Sequence, residues 1–135
     1  MSALSDYLEA ALLNWVRGVA MPSAPATTYL ALYTSATTDA GGGAEVSGGA
    51  YARFAIAASG WSAPADDAEG KVISNVAELA FAVASSSWGT VTHAALQDAS
   101  SGGNRLFHGP LAAQKVVDSG DQIKFGAGEL RVKLY

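Results

Sequence analysis

With 135 residues and no cysteine, the chain is long enough to fold as a single domain (residues 1–135) that buries roughly two-thirds of its unfolded surface without disulfides. Its 8 Lys and Arg are scattered and outnumbered by 12 Asp and Glu, giving a net charge of −4; this disfavours a nucleic-acid partner, because phosphate binding needs clustered cations. No apolar run approaches the roughly 18 residues of a membrane span, and acidic Asp6 and Glu9 stand where a signal peptide would be basic, so the expectation is a complete, soluble protein made in the cytoplasm with no membrane partner.

Residues 4–17, within an N-terminal segment 1–18, carry the one clear helical pattern. Leu4, Leu8, Leu12 and Val16 recur at every fourth position, and Tyr7, Ala11 and Trp15 form an adjacent row. Ser2 or Ser5 can cap the start, and Asp6 and Glu9 suit the positive end of the helix dipole. Gly18 supplies a stop, and "MPSAP" (21–25) forbids continuation. Two readings of this apolar stripe stand side by side. It packs over one end of the domain, or it docks on a neighbouring subunit through Tyr7, Leu8, Leu12 and Trp15.

After residue 26 the period changes to two. "TYLALYTS" (28–35) is apolar on both faces and reads as an interior strand, followed by a glycine-rich loop at 37–50. "YARFAIAA" (51–58) reads as a strand and 59–70 as a connection rich in turn formers. "KVISN" and "AELAFAVA" are further strands, the second with Leu79, Phe81 and Val83 on one face. In 89–99, Val91, His93, Ala95 and Gln97 alternate against Thr92, Ala94, Leu96 and Asp98; a turn at 99–104 and a strand at 105–111 complete a hairpin. Residues 114–125 read as strand, "DSGD" turn and strand, and 128–135 close the chain with Leu130, Val132 and Leu134 inward. The predicted fold is mainly β: an antiparallel β-sandwich or jelly roll of about eight strands over 26–135, with one N-terminal α-helix. Alanine is unusual on strand faces, and its abundance fits either closely approaching layers or simply a GC-rich genome.

Candidate chemistries are weak. His93 and His108 could pair across the hairpin and, with Asp98, make a partial zinc site; the bland reading has each imidazole hydrogen-bonded inside the sheet. No "GxSxG" elbow supports a serine nucleophile, and "SSS" (85–87) has no positional reason to be one. The glycine runs at 41–43 and 48–49 lack the helix and lysine of a phosphate loop. Asp66, Asp67 and Glu69 lack the ligand alternation of a calcium loop. Trp61, in a polar loop, is the aromatic best placed to contact a ligand such as a sugar, whereas Trp88 reads as a core anchor. No catalytic, cofactor-binding or metal-ligating residue is assigned.

Five segments together resemble a known family: "LSDYLEAALLNWVRG", "PATTYLALYTSATTDAG", "EVSGGAYAR", "WGTVTHAALQDASSGGNRLFHGPL" and "SGDQIKFGAGELRV". They are similar to small virion proteins of tailed bacteriophages, usually labelled tail fibre proteins, over nearly the whole chain. "EVSGG.YAR" and "WGTVTH" are the most specific parts, and the alanine-rich middle with Trp61 departs from the family pattern. The resemblance implies a non-enzymatic virion protein without a cofactor, made in the host cytoplasm. Its partners would be other tail or capsid subunits and further copies of itself. The first expectation is a tail or fibre-associated subunit in many copies. Capsid decoration, cementing the head shell, is the alternative, and a carbohydrate-binding module for the host surface is the alternative of another class.

Overall fold

The computed structural model describes residues 1–135. Ten strands and one helix follow in the order β1 (Ala3–Leu4), α1 (Asp6–Val16), β2 (Thr27–Tyr33), β3 (Phe54–Ala57), β4 (Ala65–Asp66), β5 (Lys71–Ser74), β6 (Leu79–Ala80), β7 (Gly89–Gln97), β8 (Arg105–Val117), β9 (Lys124–Phe125) and β10 (Arg131–Leu134). All pairings are antiparallel. The mainly β expectation with one N-terminal helix therefore holds, with ten strands rather than about eight. The additions, β1 and β4, are two residues each, too short to show a period. Conversely, the strands expected at 105–111 and after 114 are one element, β8. No helix is long and apolar enough to cross a membrane.

The largest sheet has the order β1-β8-β7-β2-β3; β10-β5-β4 and β6-β9 form two smaller sheets. One core of 16 buried residues joins them. Leu30, Leu32, Ile56, Ala94 and Leu96 project from the large sheet, and Leu79, Phe125 and Val132 from the small ones. Phe81, 2% exposed, sits at the junction with the rings of Tyr51, Phe54, Trp88 and Phe125 around it at centroid distances of 5.7–6.5 Å. As expected, β2 is an interior strand, flanked by β7 and β3.

Three details of the alternation are corrected. Val91 lies in the main core with Ala94 and Leu96, not on the face of Ala95. A register shift between Val91 and His93, opposite Pro110–Lys115 on β8, flips the side-chain order. Val83, expected on one face with Leu79 and Phe81, and Leu134, expected inward, are 52% and 47% exposed, because β6 ends at Ala80 and β10 at Leu134. The helix begins at Asp6, since Ala3 and Leu4 instead pair with His108 and Phe107.

The large sheet also buries its second face. Ala31 and Ala95 are fully buried there beside Tyr33. The glycine-rich segment after β2 returns beside it: Tyr33 bridges antiparallel to Glu45, Thr34 N donates to Ala44 O and Val46 N to Leu32 O at 2.9 Å each, and Gly43 comes against the Tyr33 ring. Small alanine side chains permit the close approach. A Cβ on Gly43 would sit 3.2 Å from the Tyr33 ring, and Gly43 adopts φ +106°, so this position needs glycine on both counts.

Candidate functional site

The N-terminus of α1 is clamped to β8. Ser5, 1% exposed, has an extended backbone and accepts a hydrogen bond from Leu8 N at 3.2 Å, so it is the N-cap. The same hydroxyl donates to Arg105 O, and Ser5 N donates to Leu106 O at 3.0 Å. The C-terminus closes with Val19 N bonded to Asn14 O and Gly18 N to Trp15 O, with Gly18 at φ +89°.

Between those ends the helix is sparsely packed. Ala11 is its only buried residue. Leu8 and Leu12 are half-buried, while Tyr7 and Trp15 are 37% and 62% exposed. The helix's most exposed apolar residues are Leu13 at 70% and Val16 at 77%, with Val19 and Met21 beyond its end. So of the four contact residues read from the sequence, Trp15 is open and Leu8 and Leu12 are partly spent on the body of the fold. Leu13 was missed because it lies outside both i, i+4 rows, on the face pointing away from Ala11.

Beside the helix start lies a polar cleft of about 480 Å³, lined by Asp6, Tyr33, Asp39, Glu45, Arg53 and Arg105 among others. Its charged groups are largely engaged with one another. Arg53 Nε and Nη2 grip Glu45 at 2.8 and 2.9 Å, and Arg53 Nη1 donates to Ala99 O and Gly102 O. The Tyr51 hydroxyl also donates to Glu45 and accepts from Leu32 N. Burial opposes ionisation of Glu45, but the Arg53 and Tyr51 hydrogen bonds outweigh it and hold the carboxyl below its ordinary range. Burial first, and then the neighbouring carboxylate, push the Tyr51 phenol well above its ordinary value despite the Leu32 amide. Arg105, 6% exposed, stacks over Tyr33 at 4.9 Å and donates through Nη1 to Thr38 O and Gly42 O, tying down the glycine-rich segment.

The histidines do not converge on Asp98. His108 is buried, with Nε2 donating to Asp39 Oδ1 at 2.7 Å and Nδ1 bonded to the Thr37 hydroxyl at 2.8 Å. His93 Nδ1 meets the Thr92 hydroxyl at 2.8 Å. Asp98 closes the hairpin turn through Asn104 N and Nδ2. Thr37, His108 and Asp39 form a hydroxyl–imidazole–carboxylate chain, the connectivity of a nucleophile relay. Neither Thr37 nor His108 lines the cleft, however, so the hydroxyl does not face a substrate-sized space there. Asp39 also stands with exposed Asp6 and Glu9 in a carboxylate trio within 4.8 Å. Asp66 pairs with Lys71, and Asp67 with Arg131 and Lys133.

Trp61 was expected in an open loop. It is half-buried against the main core, its indole N–H donates to Thr28 Oγ1 at 3.1 Å, and it bridges to Asn75. It offers one partial face rather than a free platform. Trp88 is a core anchor, 4% exposed, with its N–H on Gly49 O at 2.9 Å; Gly89 after it takes φ +79°.

No curated protein matches the chain. A family model does, over residues 3–133: that of Podophage GP4 fiber I protein gp80. The match runs from β1 through most of β10 and so includes the clamped helix, the strapped glycine-rich segment and both layers of the core. The chain belongs to this family of phage fibre proteins.

Proposed function

We propose that the protein is a non-enzymatic, single-domain structural subunit of a tailed-phage virion, tail- or fibre-associated and present in many copies. It is made in the host cytoplasm and assembles with other virion proteins and with itself. One observation carries this reading: in a chain of a fibre family, a helix clamped at its N-terminus carries Leu13, Trp15 and Val16 into solvent. Single exposed apolar residues are ordinary, but three on one eleven-residue helix fit a contact between proteins. The loops at 37–50 and 59–70 are further contact candidates. Glu45, Arg53 and Asp39 in the cleft are held by partners within the fold, and Arg105 Nε alone is buried without one, which suits a scaffold better than a reaction centre. Repetition in the particle would let individually weak contacts act together.

Gold-labelled antibody on intact virions, viewed by electron microscopy, tests the reading. Label on the tail or its fibres is the expected result. Label on the head would replace it with capsid decoration, and unlabelled particles would overturn it. Binding to a glycan array that is lost in Trp61→Ala would instead make host-surface recognition the function.

A further inference from the structure

The exposed face of α1 supplies its own complement. At about 100° per residue, Asp6, Glu9, Leu13, Val16 and Arg17 share the face opposite buried Ala11, and all five are exposed. The acids stand at its N-terminal end, and Arg17, the only base, stands at its C-terminal end. Glu9 and Arg17 are each four residues from Leu13, about 6 Å along the axis on either side. Arg17 reaches only Asn14 on its own helix, at 3.2 Å.

Resting on the structural-subunit reading above, we propose that this face pairs with the same face of a second copy, the two helices antiparallel about a two-fold axis at Leu13. Leu13 then meets Leu13, Val16 lies over the partner copy's small Ala10, and each Glu9 faces an Arg17. Both charge pairs form at once because a two-fold contact repeats every interaction. A parallel arrangement would set acid against acid and base against base. One short helix face is smaller than the roughly 800 Å² per partner of a standard stable interface, so the pairing is concentration-dependent in solution.

Sedimentation equilibrium of the full chain from about 10 µM to 1 mM tests this, a range that captures weak association. The mass should rise from 13.7 kDa toward twice that value. Leu13→Asp, at an exposed position, should stay at the monomer mass with an unchanged far-UV spectrum. Glu9→Arg or Arg17→Glu alone should weaken association about 3–10-fold, and the two together should restore it. The charge swap decides the matter even if Leu13→Asp does not fold. A wild-type monomer at the highest concentration, a trimer, or a double variant no stronger than the singles would overturn the pairing. A monomer that still labels virion tails would sink the pairing alone; a two-fold dimer absent from virions would sink the structural reading alone.

Discussion

Glu45 receives three hydrogen bonds from Arg53 and Tyr51, so its charge contributes to this fold. Its side chain is 27% exposed and that of Arg53 is 9%, so the pair is shielded more than a surface salt bridge but not fully buried. Glu45→Gln should therefore cost about 1–3 kcal/mol at neutral pH, read as a fall in the urea midpoint. The carboxyl's folded pKa lies below its ordinary 4.5, so the unfolded chain binds its proton first as pH falls. The stabilisation is thus complete above that value and disappears as pH drops through the lower folded one. Urea midpoints of wild type and Glu45→Gln should converge on acidification; a gap that stays constant to pH 2–3 would contradict the assignment. Gly48 makes a steric rather than electrostatic case: an added Cβ would meet the Trp88 ring and lie 2.7 Å from Ser87 O. Gly48→Ala should cost about 1–3 kcal/mol and shift the Trp88 near-ultraviolet signal. Neither effect is visible in the sequence, because the partners are brought together by the sheet and not by spacing. The same holds for His108 and Asp39, 69 positions apart. The order of residues around His93 and Asp98 supports a hairpin, and a hairpin is what both residues occupy.

Among the elements, those with a long apolar period were readable and those set by pairing were not. β2 and β7 have seven and nine residues, enough for alternation to show, and both lie where the pattern put them. β6 and β9 have two residues each, so their inward Leu79 and Phe125 were visible as apolar positions while their limits were not. The register shift between Val91 and His93 reverses the two-residue period of β7, and its proline, Pro110, lies on the partner strand β8 rather than in β7, which is why Val91 was placed on the wrong face. In α1 the stripe was legible but its burial was not, because burial depends on how much of the helix the sheet reaches. The clamp at Ser5 sets that reach. Ser5→Ala removes both the cap to Leu8 N and the hydroxyl bond to Arg105 O. A cap alone is worth about 0.5–2 kcal/mol, and here the loss should open the helix locally before the sheet. Amide exchange over residues 6–16 should accelerate while that of β2 and β7 is unchanged. Uniform acceleration across both would mean that the helix is coupled to the whole fold rather than hinged on it.

At the scale of the molecule, stability is concentrated in one place. The five-stranded sheet and the two small sheets share a single 16-residue core, and the aromatic group around Phe81 spans the join. Small sheets of two and three strands are marginal by themselves, so they hold their form by packing on that core. The layers should then unfold together. Of the three tryptophans, Trp88 reports the core, Trp61 its edge, and Trp15 the solvent. In a Trp15→Phe background, fluorescence from the other two should follow the same urea transition as far-UV dichroism, the signature of two-state unfolding. Phe81→Ala should lower both transitions together by about 3–5 kcal/mol, a large share of the roughly 5–15 kcal/mol that holds a domain of ordinary stability. If the two probes separate, with the far-UV signal surviving loss of the Trp88 environment, the five-stranded sheet stands without its partner layer. The projecting helix and the strapped face of that sheet would then be properties of the sheet alone. Coincident transitions place them on a body whose rigidity comes from both layers.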